Sequence, residues 1–467
     1  MTMTAELAAF GPAAVAGLGA VLVLLIDAIA PRGRGWQRWL GTAVLIGALV
    51  SVVWIPAAGW PMATLTQVLQ SLAMVGAMAA LTLVGREQYA APGGPSVAAA
   101  LVLATAAGAA SVAACVDVVT LVVSLELATV PVVALVALRG TRGAGHAALS
   151  LLVTSLTSFA LIVVGAALWV SATGTVALTT QAWQGIVGED TRVALGVLAM
   201  LILLSGIGFK LSLMPFHAWT PQNYREADVG VVAVLVTTSK AAALAAAIAV
   251  LRPSMSSVLA LPALTVGLAA VALTTMILGA SVALRQDRAL GLVAWSTIAQ
   301  AGWVLLPLVA LSEQGAQAAV AYLCVYAAAT VALLAGVAER RGDGELSAYR
   351  GLIRRDPLTG GAMAFALLVL AGLPPGVVGL IAKIIALRPL TTTAHQALPI
   401  VAVLAVMAVA LGIAVYLRWL VILVARPEDT PGSAAPRAWG PRIVLVAASV
   451  TLVVLSVAPQ LLLGWVR

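Results

Sequence analysis

Apolar runs of roughly 18 to 25 residues recur along the whole chain, and each is long enough to cross about 30 Å of hydrocarbon as a helix. About 14 spans are expected, near 6–30, 39–56, 64–84, 96–115, 118–138, 147–171, 192–222, 229–251, 258–283, 289–311, 316–338, 359–387, 398–424 and 442–464. Only short polar stretches separate them, so no soluble domain fits between. The expected fold is therefore all-α and polytopic, one integral membrane domain over 1–467, because a helix satisfies its own backbone in lipid. The opening "MTMTAELAAF" has no basic lead and runs straight into an apolar segment. It reads as the start of a first transmembrane helix rather than a cleaved signal.

Composition agrees with this pattern: 467 residues, 62% hydrophobic and 9% charged, lie far outside the range of soluble domains. The formal charge of +8 does not point to nucleic acid, because the arginines are scattered through short loops between spans. Arginine placement orients the threading. The loops after odd-numbered spans, with their edges, hold Arg32, Arg34, Arg38, Arg86, Arg139, Arg142, Arg225, Arg285, Arg288, Arg340, Arg341, Arg350, Arg354, Arg355, Arg426, Arg437 and Arg442. The opposite side holds Arg192, Arg252, Arg388 and Arg467, and Arg418 is left over within the span 398–424. Seventeen against four places both termini outside and the loop 339–357 in the cytoplasm. Trp36, Trp39, Trp54, Trp60 and Trp439, near span ends, read as interface anchors. His146 and His395 read as solvated groups at the membrane edge, and 426–441 as a flexible loop.

Only three of the 25 basic residues are lysines, and all three fall inside expected spans: Lys210, Lys240 and Lys383. Arginine keeps its proton in proteins, whereas a desolvated lysine can release it. A charged group at membrane depth costs about 3 kcal/mol or more and usually faces a bundle interior or a wet cavity. Glu126, in "LVVSLELATVPVVAL", belongs to the same class; a carboxylate beside a buried lysine holds it protonated, and separating the two frees the proton. One such lysine can be a structural bridge or can snorkel; three, with a buried acid, point to proton handling.

In "GFKLSLMPFHAWTP", Pro215 and the titratable His217 follow Lys210, and in "LAGLPPGVVGLIAKII", Pro374 and Pro375 precede Lys383. Proline cannot continue the helical ladder, so two broken helices are expected. Each break alone could be a packing kink. Their recurrence with a lysine suggests two inverted five-helix repeats, at approximately 96–251 and 258–424, each containing a broken helix on an ion path.

These segments resemble the antiporter-like membrane subunits of NADH-quinone oxidoreductase (respiratory complex I), most of all the subunit N branch. "GFKLSLMPFHAWTPQNY" followed by "VTTSKAAALAA" is similar to that family's broken seventh helix and its eighth helix. "SLELATVPVVAL" resembles the fifth-helix segment with its functional glutamate, and "LAGLPPGVVGLIAKI" the broken twelfth helix with its lysine. "LRQDRALGLVAWSTIAQAGW" is a weaker likeness of the segment joining helices nine and ten; the whole covers roughly residues 90 to 425. The resemblance implies a subunit of a bacterial plasma membrane complex that translocates protons while partner subunits oxidise NADH and reduce quinone. By position it makes Glu126 and Lys210 a modulating ion pair, Lys240 a proton relay and Lys383 the terminal site, and it sets His217 on the motif's histidine. NADH, FMN, iron–sulfur clusters and quinone belong to the partner subunits; this chain is expected to hold no cofactor or metal, since Cys115 and Cys324 stand alone and no nucleotide-binding loop occurs.

The chain also departs from the family. The span 147–171 lacks the further lysine that the family carries in its sixth helix, the tenth-helix histidine is Gln300, and "READVGV" replaces a Gly-Ala-Pro-x-Pro stretch with Asp228 and Gly230 in place of the prolines. It reads as a divergent member. Alternatives with the same signature are a subunit of a multi-subunit cation/proton antiporter or membrane-bound hydrogenase, and a non-conducting scaffold.

Overall fold

The computed structural model describes residues 3–29, 35–54, 59–84, 94–255, 261–340, 344–392, 398–427 and 439–464. Arg32, Arg34, Arg86, Arg341, Arg437, Arg467, His395 and most of the loop 426–441 lie outside them. Thirteen helices among the described residues are long and apolar enough to cross a membrane. The remaining expected span, 359–387, is divided into Pro357–Ala371 and Val377–Thr392, each too short to cross by itself. The protein is thus an all-helical, multi-pass membrane protein.

The chain forms two compact units. The first comprises Met1–Ser212, Glu226–Gly267 and Leu311–Glu313; the second comprises Leu213–Arg225, Leu268–Ala310 and Gln314–Arg467. In the first unit the helix most enclosed by its neighbours is Val229–Ser254, 94% buried across its most apolar stretch. In the second they are Ala289–Ala310 and Glu313–Glu339, at 94% and 89%, against 17% for Trp439–Val457. The enclosed helices carry Lys240 in the first unit and Gln300 in the second, so the polar groups sit where lipid does not reach. The outlying helix shows Val450, Val453, Val454 and Val457 outward, as a hydrocarbon solvent requires.

Local chemistry explains where several helices start. Asp117 accepts from Thr120 N at 2.7 Å and from its hydroxyl at 2.7 Å, capping Val118–Ala137. Thr141 caps Arg142–Thr173 through Ala144 N at 3.1 Å, and that helix runs longer than the expected 147–171. The helix expected over 229–251 is interrupted at Thr237, whose ψ of −79° separates Val229–Val236 from Thr238–Leu251.

Trp39, Trp54 and Trp439 are 79%, 81% and 76% exposed, as interface anchors should be. Trp60 is not an anchor: it is buried, edge-on to Phe10 at 5.9 Å, because the turn before Ala63–Leu83 folds it onto Ala5, Ala8 and Ala9. Arg418 is a clamp. Its guanidinium donates to Leu284 O at 2.5 Å and Gln286 O at 2.8 Å, and pairs with Asp287 at 2.6 Å. It thereby satisfies carbonyls freed at the end of Pro262–Ala283.

Candidate functional site

Both expected helix breaks are present and share one backbone pattern. Asp190–Leu211 stops where Ser212 turns left-handed at φ 67°, a cis Met214–Pro215 bond follows, and the helix resumes at Trp219. Pro357–Ala371 stops where Gly372 turns left-handed at φ 78°, a cis Pro374–Pro375 bond follows, and the helix resumes at Val377. A helix that stops this way leaves its last carbonyls without intrahelical donors and its C-terminal end partially negative.

In each case a lysine amine fills that end. Lys240, 1% exposed, donates to Leu211 O at 2.7 Å. Lys383, 5% exposed, donates to Leu370 O at 3.0 Å and Ala371 O at 2.6 Å. The first break thus receives a lysine from another helix, while the second receives one from its own continuation. Two glycines make the second arrangement possible. A Cβ at Gly372 would stand 3.2 Å from Lys383 Nζ, and one at Gly379 would stand 1.8 Å from Val369 O. Only glycine lets the two half-helices pass this closely.

Among the described residues neither Lys240 nor Lys383 has an ion-pair partner. A buried ammonium held by carbonyls alone pays a desolvation cost that loss of the proton relieves. Lys383 Nζ lies additionally 5.9 Å from the centre of the Trp303 ring.

Lys210 is differently placed. Its amine reaches Glu126 Oε1 at 3.4 Å and donates to Thr129 Oγ1 at 2.5 Å. The Lys210 side chain is 9% exposed and that of Glu126 24%. Glu126 and Thr129 lie one turn apart on Val118–Ala137, so both face the same amine. At 3.4 Å the ion pair is long, and the shorter hydroxyl contact is the one that fixes the amine.

The structure therefore gathers Glu126, Lys210 and Lys240 in the first unit, the last two meeting the final turn of the same half-helix. His217 and Lys383 belong to the second. His217 packs its ring against Trp295, with centroids 5.4 Å apart. Thr129 escaped the reading of the sequence, although its i+3 spacing from Glu126 marks it. So did Tyr322 and Tyr416, which bind the two ends of the Gln300 amide: Tyr322 donates to Oε1 at 2.5 Å, and Nε2 donates to Tyr416 at 2.7 Å. The spacing of Ser296, Gln300 and Trp303 on one helix face was the available signal for that cluster.

Comparison with known proteins identifies the family. Residues 115–424 match the family described as NADH:quinone oxidoreductase/Mrp antiporter, TM. The chain is 32% identical over 462 residues to NADH-quinone oxidoreductase subunit N of Cereibacter sphaeroides, covering 98% of each. It is 35% identical over 456 residues to NADH-quinone oxidoreductase subunit 14 of Thermus thermophilus, covering 97% of this chain and 98% of that one. A chain of respiratory complex I from Thermus thermophilus with bound aureothin superposes with a TM-score of 0.82 at 30% identity, covering 98% and 99%. With a family match over most of its length and relatives of this identity along its whole extent, the chain belongs to the NADH:quinone oxidoreductase/Mrp antiporter membrane family.

Proposed function

We propose that this chain is a proton-translocating subunit of a bacterial NADH-quinone oxidoreductase, working in the plasma membrane beside other membrane subunits, with both termini outside. The redox cofactors, NADH, FMN, iron–sulfur clusters and quinone, belong to its partners. One observation carries the reading: at both helix breaks the freed carbonyls are met by a buried lysine that has no counterion among the described residues. Such an amine is stable enough to exist in either protonation state, which a fixed structural bridge does not need to be.

In this reading Lys240 and Lys383 carry protons. Lys210 donates to Glu126 at 3.4 Å and to Thr129 at 2.5 Å, and since only Glu126 carries charge, movement of its carboxylate loads or releases the Lys210 proton. The stretches 96–251 and 258–424 act as two repeats of one design, a proposal supported by the common backbone pattern of their breaks. His217 has a lesser part, beside the first break. The absent sixth-helix lysine and Gln300 in place of histidine shorten the set of titrating groups.

The test uses inverted membrane vesicles containing the assembled complex, with NADH-driven acidification read by a pH-sensitive dye. Lys210→Ala and Lys383→Ala each lower acidification per NADH oxidised while assembly is kept. Unchanged acidification with intact assembly would leave a scaffold, and sodium movement without any electron donor would assign the chain to cation exchange instead.

A further inference from the structure

Lys383 opens onto a small cavity in the second unit that is large enough for a water molecule. Its polar lining is Lys383, Ser296, Gln300 and Tyr416, with Trp303 and small or apolar residues such as Met276 and Val415 closing the rest. All four polar residues are at most 5% exposed. A buried water needs two to four polar partners, and this lining supplies them.

The hydrogen-bond pattern around the cavity is locked on one side and open on the other. The Gln300 amide is held at both ends, its Oε1 by the Tyr322 hydroxyl and its Nε2 on the Tyr416 oxygen. Tyr322 is itself stacked on Trp303 at 5.8 Å, so the amide has no freedom to turn without breaking both bonds. Tyr416 also shares a hydrogen with Ser296 at 2.7 Å, and either oxygen can be the donor. A phenol has one hydrogen and two acceptor sites. With one acceptor site taken by Gln300, the Tyr416–Ser296 pair has two arrangements. If Ser296 donates, the Tyr416 O–H is released toward the cavity; if Tyr416 donates, its remaining lone pair is.

We propose that Tyr416 and Ser296, oriented by Gln300, are positioning residues for the water that takes the proton from Lys383. The inference rests on the proton-carrying reading of Lys383. Before transfer, the phenol donates to the water while that water accepts from the ammonium. In the transfer one N–H bond of Lys383 breaks and one O–H bond forms on the water, leaving a neutral amine and a protonated water; the hydroxyls keep their own protons. Afterwards the pair reverses, and the Tyr416 lone pair accepts from the protonated water. The cluster serves both states of the water without ionising, which is the task that a titrating histidine at position 300 would otherwise share.

The test employs Tyr416→Phe, Ser296→Ala and Ser296→Thr in the assembled complex in vesicles, each beside Lys383→Ala. The share of NADH-driven acidification that Lys383→Ala removes falls about tenfold in Tyr416→Phe and Ser296→Ala, below the usual range for a proton-transfer group because other waters partly substitute. Ser296→Thr keeps the hydroxyl and stays within about twofold of the parent, since the loss follows the hydrogen-bonding group. Packing alone predicts the reverse order, with the added methyl of threonine more harmful than the smaller alanine. That reverse order would overturn the proposal, as would unchanged acidification in Tyr416→Phe and Ser296→Ala while Lys383→Ala abolishes it. Failure of both hydroxyl-deleting variants to assemble would also overturn it, because the cluster would then be a brace. If Lys383→Ala itself leaves acidification intact, it is the proton-carrying role of Lys383 that fails.

Discussion

Replacing Lys240 by methionine removes an ammonium and keeps nearly the same unbranched volume in a site that is 1% exposed. Two opposing energies follow. The Leu211 carbonyl loses its 2.7 Å charge-assisted donor and is left buried, which destabilises by about 1–3 kcal/mol. Against that, a buried ammonium with no ion-pair partner among the described residues no longer has to be held out of water, a relief of several kcal/mol. The second effect is the larger, so Lys240→Met assembles into the complex and melts no lower than the parent. Transport behaves oppositely: the share of protons carried by this chain falls about a hundredfold, the low end of what a positioned proton-transfer group contributes. The assay is protons moved per NADH oxidised in inverted vesicles, alongside the thermal melting of the purified complex. Unchanged stoichiometry would refute the reasoning, and so would a variant that fails to assemble, since Lys240 would then be a brace.

Further outcomes follow from the same geometry. Gly379→Ala drives a Cβ into the Val369 carbonyl and should destabilise by at least about 2 kcal/mol, while Gly361→Ala, with nothing within 4 Å, should be tolerated; thermal melting in detergent separates the two. Arg418→Ala leaves the Leu284 and Gln286 carbonyls without their donor, costing about 1–3 kcal/mol, yet acidification per assembled complex stays at the parent level because the clamp touches no proton-carrying group. Glu126→Gln keeps the hydrogen-bonding shape but removes the charge facing Lys210, so acidification drops less than in Lys210→Ala, with Thr129 still holding the amine.

Much of this architecture was legible in the chain. Continuous apolar runs can satisfy their backbone in lipid only as helices, which is why the spans are found close to where hydropathy sets them. Pro215 and the Pro374–Pro375 pair announced the breaks because proline cannot donate to the ladder. The three lysines announced the chemistry, because charge at membrane depth needs a reason. What stayed hidden depends on which helix faces which. Nothing near Lys240 in the sequence says that its amine ends on Leu211, and nothing near Gln300 says that Tyr416, 116 residues away, holds its amide. The periodicity of an apolar helix shows one polar face but not the partner across from it. Arg418 illustrates the same gap: it reads as an anomaly inside a span until the carbonyls at 284 and 286 come into place. Trp60 was misread for a related reason, since closeness to a span end does not distinguish a residue facing the interface from one folded under a turn.

The central claim is that the buried amines release protons, which is more than carrying charge, and Lys383→Arg tests it most directly. A guanidinium preserves the positive charge and can still donate to the Leu370 and Ala371 carbonyls, but it does not give up its proton in a protein. In vesicles with matched amounts of assembled complex, protons moved per NADH oxidised should fall in Lys383→Arg as far as in Lys383→Ala. Transport in the arginine variant equal to that of the parent would contradict the account, because charge at the helix break would then be sufficient.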